Sequence, residues 1–515
     1  LNGAQLRAYF QISLANLPFN LFLIDGRPFY LNWSVQFDSV RVVLSFKLEI
    51  SMNLPLTRRL LLTGIGSLGG CSVLDRPASV PACADDWLEA EWIRANIQVP
   101  VFPDRVFRLT DFLESGAKDA SSAMSRAVRA CHEAGGGRVV VPAGEYLCGP
   151  IHLLSNVNLH LEAGSVLRFH TDPRHYLPAV LTRWEGMELM GYSPLVYAYQ
   201  QTNVAITGPG TLDGQASRDN WWPWKGNEEW GRPGFPSQDE ARTKLMADVA
   251  AGVPVTQRLY AEGAYFRPPF VQFYNCRNVL VEDVRVIRSP FWLLNPVLCD
   301  HVTVRRVHLE SLGPNSDGCN PESCRNVLIE DCYFDTGDDC IAIKSGRNAD
   351  GRRIGIPSEN IVIRGCQMRA GHGGIVIGSE ISGGARNIFA ENCHMSSPDL
   401  ERGIRIKTNS VRGGLIEHLR FRNILIGQVQ DAVVINFYYE EGDAGQFDPT
   451  VRDIVIENLL CDNARRVFQV RGFARKKIES LHLKNVHVVK AAEIGVLEHV
   501  EDLALDSVSV NGQAL

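Results

Sequence analysis

The chain has 515 residues, with 52 Lys and Arg against 58 Asp and Glu, a formal net charge of -6, and 45% apolar against 21% charged residues. That balance excludes a disordered polymer, a collagen-like chain and a coiled coil, and its slight acidity gives no reason to expect nucleic acid as a partner. The 13 Cys are an odd number and need an explanation other than simple pairing.

The first residue is Leu1 and the first Met is Met52. After Met52 come Arg58-Arg59, an apolar run from Leu60 to Gly70, and Cys71. A basic pair before about a dozen apolar residues reads as an export signal, too short to span a bilayer. The arginine pair resembles a twin-arginine signal. Leu68-Gly69-Gly70-Cys71 resembles a bacterial lipobox, which would make Cys71 a lipid anchor; the alternative is an ordinary cleaved signal. Residues 1–51 therefore read as an upstream extension, 52–85 as signal and linker, and 86–515 as one domain. The expected destination is outside the cytoplasm of a bacterial cell: periplasmic, anchored to the outer membrane, or secreted.

Residues 121–134 form an amphipathic helix with Met124, Ala127, Val128 and Cys131 on one face. Gly135-Gly136-Gly137 stops it, and Val139-Val140-Val141 starts the first strand. Beyond about residue 156 a short pattern recurs, as Asn278-Val-Leu-Val-Glu-Asp-Val284, His301-Val-Thr-Val-Arg-Arg-Val307, Asn326-Val-Leu-Ile-Glu-Asp-Cys332, Asn360-Ile-Val-Ile-Arg-Gly-Cys366 and Asn387-Ile-Phe-Ala-Glu-Asn-Cys393. Weaker copies start at His418, Asp453, Ser480 and Asp502, in steps of 22 to 35 residues. Each copy alternates with period two, as a half-buried strand does, and no crossover helices lie between copies. Short strands at a recurring period predict an all-β solenoid, a parallel β-helix whose N-terminal end the helix caps.

The Asn that opens several copies suits a left-handed corner, and stacked Asn side chains can bond one another along the axis. Cys332, Cys366 and Cys393 exchange with Val284, Val307, Ile424, Leu459 and Val486, so they are expected as core thiols. Cys319 and Cys340 could still pair. No Cys or His spacing fits zinc, and neither a metal nor a cofactor is expected.

A second strand in each rung carries the chemistry. In order these are Asn315-Ser316-Asp317, Gly337-Asp338-Asp339, Gly371-His372-Gly373, Arg405-Ile406-Lys407 and, at the end of the next strand, Tyr438-Tyr439. Aligning the apolar triplets puts Asp317 in phase with Asp339 and Asp338 in phase with His372, with Arg405 and Lys407 outward on the same face. Five rungs would place these groups on a patch about 20 Å long. Strand alternation sends Asp338 and Asp339 to opposite faces, so both reach the patch only if Gly337 ends a turn and the strand starts later.

The four motifs, in this order and spacing, resemble those of the polygalacturonases, glycoside hydrolase family 28, over about residues 108–510. Ser316 stands where the family more often has Thr. The resemblance implies a right-handed parallel β-helix and inverting hydrolysis of α-1,4-galacturonosyl bonds in pectin or its oligomers. It makes Asp338 the general acid, with Asp317 and Asp339 holding the water and His372 tuning the acid. Arg405 and Lys407 would bind substrate carboxylates, with Asn315 and Tyr439 completing the substrate site. Crowding three carboxyls should raise the pKa of at least one. An acidic polysaccharide is the expected partner; no protein partner is implied. An aromatic-rich stretch, about 214–270, breaks the rung period and holds Trp221, Trp222, Trp224 and Trp230. It reads as a sugar-stacking wall or a lid that closes one end of the cleft, favouring exo action, or else as a structural loop. The competing functions are another pectin-active β-helix enzyme (a rhamnogalacturonan or xylogalacturonan hydrolase, or a calcium-dependent pectate lyase) and a non-catalytic binding solenoid.

Overall fold

Branched aliphatic residues at alternate positions pack into a dry interior only if successive copies stack in register. They do. The computed structural model describes residues 86–515, together with the backbone of four short strands between residues 22 and 48. Those four pair antiparallel, Phe22–Ile24 with Arg27–Phe29 and Leu31–Asp38 with Arg41–Leu48. The arginine pair, the apolar run and Cys71 lie outside the described residues.

Val204, Val279, Val302, Val327, Ile361, Ile388, Leu419, Ile454, Leu481 and Leu503 pair in succession, every pair parallel. All but Leu503, on the last rung, are buried. A second column runs Leu294, Cys319, Ile341, Ile375, Ile404, Val433 and Phe468. A third runs Val286, Leu309, Phe334, Met368, Met395, Ile426, Cys461 and Val488. Three columns make a three-faced solenoid whose interior is the core.

The corners are Asn ladders. Asn203, Asn278, Asn326, Asn360 and Asn387 all have φ between 55° and 57°, a left-handed conformation that Asn tolerates better than other L-residues. Four of these carboxamide nitrogens donate to the oxygen of the Asn one rung earlier, Asn203 to Asn156 at 3.0 Å, Asn278 to Asn203 at 2.9 Å, Asn360 to Asn326 at 3.2 Å and Asn387 to Asn360 at 3.0 Å, whereas Asn326, which follows the rung that opens on His301, donates to Asp300 at 2.8 Å. A second ladder, through Asn392, Asn423, Asn458 and Asn485, serves the next corner.

Cys332, Cys366 and Cys393 stack in one buried column that Ile424, Leu459 and Val486 continue. Cys276, Cys299 and Cys324 form another, in which the backbone N–H groups of Cys276 and Cys299 each donate to the next sulfur at 3.4 Å. Cys319 and Cys340 are both free and buried in the structure, so the suggested disulfide between them is not formed.

The capping helix is Ser121–Glu133, with Ala123, Met124, Ala127, Val128 and Cys131 buried against the first rungs. The sheet begins earlier than Val139: Val106–Arg108 already pairs with Gly137–Val141. A second helix, Asp86–Asn96, lies along an outer face and packs Trp87, Ala90 and Ile93 on Leu328, Val362 and Phe389. Off the rungs, a hairpin of Val180–Trp184 and Met187–Gly191 pairs with Leu259–Tyr260. The 214–270 stretch folds into a 3-10 turn, Trp222–Lys225, and a helix, Asp239–Ala250. Together with the short helix Asn348–Ile354, these elements flank one face of the solenoid.

Candidate active site

Gly337 resolves the alternation conflict. The strand Tyr333–Thr336 ends there and the next, Ile341–Ile343, starts four residues on. A side chain at Gly337 would collide with the Gly313 carbonyl oxygen, so only glycine fits this turn. Within the turn, the Thr336 hydroxyl donates to the Asp338 carbonyl at 2.8 Å and the Asp339 N–H donates to Asp338 Oδ1 at 2.9 Å. Both carboxylates thereby reach the same face. Asp317, Asp338 and Asp339 each offer an oxygen within 4.8 Å of the others.

The predicted phase relations hold. Cys319 pairs Ile341, which sets Asp317 beside Asp339, and Ile341 pairs Ile375, which sets Asp338 beside His372. His372 Nδ1 lies 3.0 Å from Asp338 Oδ1. The glycines of the Gly-His-Gly motif have separate reasons. Gly371 has φ of 146° and abuts the Asp338 carbonyl. A Cβ on Gly373 would lie 3.1 Å from Asp339 Oδ1 and 3.4 Å from Arg405 Cδ. The missing side chain at Gly373 is what lets Arg405 reach across a whole rung to Asp339.

Arg405 and Lys407 do share the outer face, but both are buried and turned back onto one carboxylate. Arg405 Nη1 is 3.3 Å from Asp339 Oδ1, and Lys407 Nζ is 2.6 Å from Asp339 Oδ2. Tyr439, not Tyr438, lines the cleft, its ring under Arg405 at 5.4 Å and Lys407 at 5.1 Å. Tyr438 packs on Phe473 and Arg471 instead. Asn315 lines the cleft with its carbonyl oxygen held 2.8 Å from Arg267, a buried guanidinium that also donates to the Pro314 carbonyl at 2.6 Å. Because the cations fold back, the groups converge more tightly than a patch of five evenly spaced rungs.

The carboxyls are not equivalent. Asp317 and Asp339 are buried, while Asp338 keeps 16% of its side-chain surface. Burial, and then the neighbouring Asp338 charge, push the Asp317 carboxyl up to about 8. Burial acts the same way on Asp338, but the His372 imidazolium overrides it and holds that carboxyl well below the usual range. The Asp338 carboxylate in turn lifts His372 to about 9. The raised carboxyl expected from crowding therefore exists, and it is Asp317 rather than Asp338.

Several site groups escaped sequence reading. Lys344 Nζ sits 3.5 Å from Asp317 and 2.8 Å from Glu380. Arg347, 2% exposed, meets Glu185, Glu380, Glu440 and Glu441 at 3.3, 3.4, 2.9 and 3.4 Å. Arg412 shares Glu440 and Glu441 at 2.8 and 3.1 Å. These partners lie far apart in the chain, so no local pattern announces them. A buried amide relay also leads to the site: Gln272 donates to Asn295 at 2.8 Å, Asn295 to the Asn320 carbonyl at 3.0 Å, and Asn320 to Asp317 Oδ2 at 2.9 Å. The last bond favours the charged form of Asp317. Asn320→Ala is expected to raise the pKa of Asp317 further and to move the basic limb of the kcat/KM profile, set by the proton that Asp317 carries, to higher pH, with roughly a tenfold loss of rate at the wild-type optimum. An unmoved pH profile would show that Asn320 does not act on Asp317.

The carboxyls open into a cavity of about 260 Å³, lined also by Glu185, Lys225, Asn227, Glu229, Trp230, Arg242, Trp292 and Glu440. That is below the roughly 300–1,000 Å³ of common ligand pockets. Of the four tryptophans in the 214–270 stretch, Trp230 lines the cavity, Trp221 and Trp224 are buried in the core, and Trp222 donates to the Ser289 carbonyl at 2.9 Å. The stretch is thus partly a cleft wall and partly a structural plug. Three clustered carboxylates have the donor atoms for a divalent cation, but Lys344, Lys407, Arg405 and His372 already lie against them.

Comparison with known proteins adds to this geometry. Residues 261–504 match the family Glycosyl hydrolases family 28. The crystal structure of a hyperthermoactive exopolygalacturonase from Thermotoga maritima is 42% identical, with a TM-score of 0.77, over 83% of this chain and 96% of that one. A polygalacturonase from Erwinia carotovora ssp. carotovora shares the fold at 22% identity and a TM-score of 0.54, over 81% and 98% of the two chains. A probable polygalacturonase of Vitis vinifera is 27% identical over 373 residues, 70% of this chain and 68% of that protein. An endo-polygalacturonase of Pectobacterium carotovorum subsp. carotovorum is 26% identical over 386 residues, 72% and 84% of the two.

Proposed function

The chain belongs to glycosyl hydrolase family 28, and from that premise we propose that it hydrolyses the α-1,4-galacturonosyl bonds of polygalacturonate with inversion, releasing sugars from a chain end. The observation that carries the chemistry is the carboxyl triad, in which only Asp338 keeps appreciable exposure toward the cavity. Asp338 is the general acid. Asp317 and Asp338 are close enough to titrate as a pair, and the proton that burial favours on Asp317 is the one the reaction needs on Asp338. Its transfer leaves Asp317 and Asp339 as carboxylates to hold and deprotonate the water, while His372 keeps a second proton against Asp338. Asn315 and Tyr439 border the sugar, while Arg405 and Lys407 pair with Asp339, which leaves them less free to bind a substrate carboxylate than their motif implied.

Exo action is supported by the small cavity, by the wall that the 214–270 stretch, the 180–191 hairpin and the Arg347 cluster build around it, and by the similarity to the Thermotoga maritima enzyme. The four cations against the triad argue against a calcium-dependent lyase. The Arg58-Arg59 pair and the apolar run after it support export, with Cys71 as the anchor point if the lipobox is used.

The test is digestion of polygalacturonate with products resolved by size and anomeric form. Mono- or digalacturonate should appear from the start, with little loss of viscosity, in the β configuration, and a chelator should leave the rate unchanged. The nearest carboxyl oxygens, within 4.8 Å, are closer than the ~6.5–9.5 Å common between inverting pairs, so the anomeric result is decisive. An α product would overturn the inverting mechanism, an early ladder of mid-length oligomers the exo reading, and an unsaturated product the hydrolase reading.

A further inference from the structure

We propose that Lys225 is a specificity-determining residue that binds the carboxylate of the terminal galacturonate. This rests on the reading of the cavity as a polygalacturonate site and names the group that selects for its charge.

A uronate entering this cavity meets seven acidic residues, Glu185, Glu229, Asp317, Asp338, Asp339, Glu380 and Glu440. It needs a cation that is not already engaged. Five Lys or Arg residues line the cavity, and four of them are held by acids of the protein. Arg242 is 2.8 Å from Glu185, Lys344 is 2.8 Å from Glu380, Arg347 is 2.9 Å from Glu440, and Lys407 is 2.6 Å from Asp339. Arg405, the other cation of its motif, is also bound to Asp339. Lys225 is the fifth, and its ammonium makes no ion pair or hydrogen bond among the described residues. Burial lowers its pKa, and at longer range Glu185 and Asp338 favour its charge while Arg267 and Arg242 oppose it.

Its position is built. Lys225 closes the 3-10 turn Trp222–Lys225, and Gly226 after it adopts φ of 79°, where a side chain would collide with Ser237 and Asp239. Trp224, one residue before, is buried against Trp221 and Tyr265, and its carbonyl accepts from Gln238 N–H at 2.9 Å. The half-buried ammonium is therefore presented at the wall with its backbone fixed, which lowers the ordering cost of binding. A charge-assisted bond at such a site discriminates strongly between a carboxylate and its neutral ester.

The experiment is steady-state kinetics of the full chain and of Lys225→Met, Lys225→Gln and Lys225→Arg, with trigalacturonate and with its methyl ester. For trigalacturonate, Lys225→Met and Lys225→Gln should raise KM about tenfold or more, with a much smaller change in kcat. Lys225→Arg should recover most of the loss. The preference of the unaltered chain for free acid over ester should collapse in the Met and Gln variants. An unchanged KM in a folded Met or Gln variant, or an unchanged acid-to-ester preference, overturns the assignment. Failure of the unaltered chain to hydrolyse trigalacturonate overturns the functional reading instead, and this assignment with it.

Discussion

Asp338→Asn should abolish hydrolysis while leaving the solenoid intact. General acid catalysis by a positioned group is worth about 10²–10⁴ in rate, and Asn supplies the same volume with no acidic proton. The turn should survive, because the Asp339 N–H that Asp338 Oδ1 accepts can be accepted by a carboxamide oxygen. Asp317→Asn should cost a comparable factor for a different reason: it removes both the resting place of the proton and one of the two groups on the water. Rates on polygalacturonate and thermal melts of the two variants check this pair. A rate within about tenfold of wild type in either variant, at any pH between 4 and 8, would refute the role given to that residue.

Arg347→Met should have the largest effect on the architecture of the site. The guanidinium is 2% exposed and touches four carboxylates. Arg242, Lys344 and Arg412 remain as partners for those acids, so the variant leaves four carboxylates against three cations, with Glu185 and Glu380 buried and Glu440 and Glu441 nearer the surface. Removing one member of a buried ionic cluster costs about 3–5 kcal/mol, mostly as uncompensated charge. In a solenoid this loss is local, because each rung contacts mainly its neighbours. The prediction is therefore specific: hydrogen exchange should rise in the 180–191 hairpin, whose Gly186 carbonyl accepts the Arg347 N–H at 2.9 Å, and in the segment around Glu440. The rungs from Val451 to Val488 should keep their protection. Uniform protection equal to wild type would show that the cluster does not hold the wall.

Much of this was legible because the fold repeats. A period-two triplet seen five times fixes register without any long-range information, and register alone placed Asp317 by Asp339 and Asp338 by His372. The Asn and Cys columns were readable for the same reason, since equivalent positions in a stack must touch. What the repeats could not show is what covers them. The helix Asp86–Asn96 was missed, although the middle residue of the triplet carried a signal: it is Thr303 on one rung but Leu328, Val362 and Phe389 on the next three. Outward apolar residues on consecutive rungs imply a cover. The direction of long side chains was also beyond a strand pattern. Arg405 and Lys407 alternate as expected, yet where their ends go depends on the empty space at Gly373, one rung away.

The 214–270 stretch leaves the ladder after Asp213, which sits at the end of the strand Thr211–Asp213, and the chain rejoins at Val271, which pairs with Val196 on one side and Leu294 on the other. Both attachment points belong to rungs whose stacking the stretch does not set. Evolution can therefore lengthen, shorten or rewrite this segment without displacing Asp317 from Asp339. The catalytic groups are inherited through the register of the stack, whereas the shape of the cavity and the place of Lys225 are carried by a loop that is free to vary. A protein built this way can change where along a polymer it cuts while keeping how it cuts, and the two properties can be selected separately.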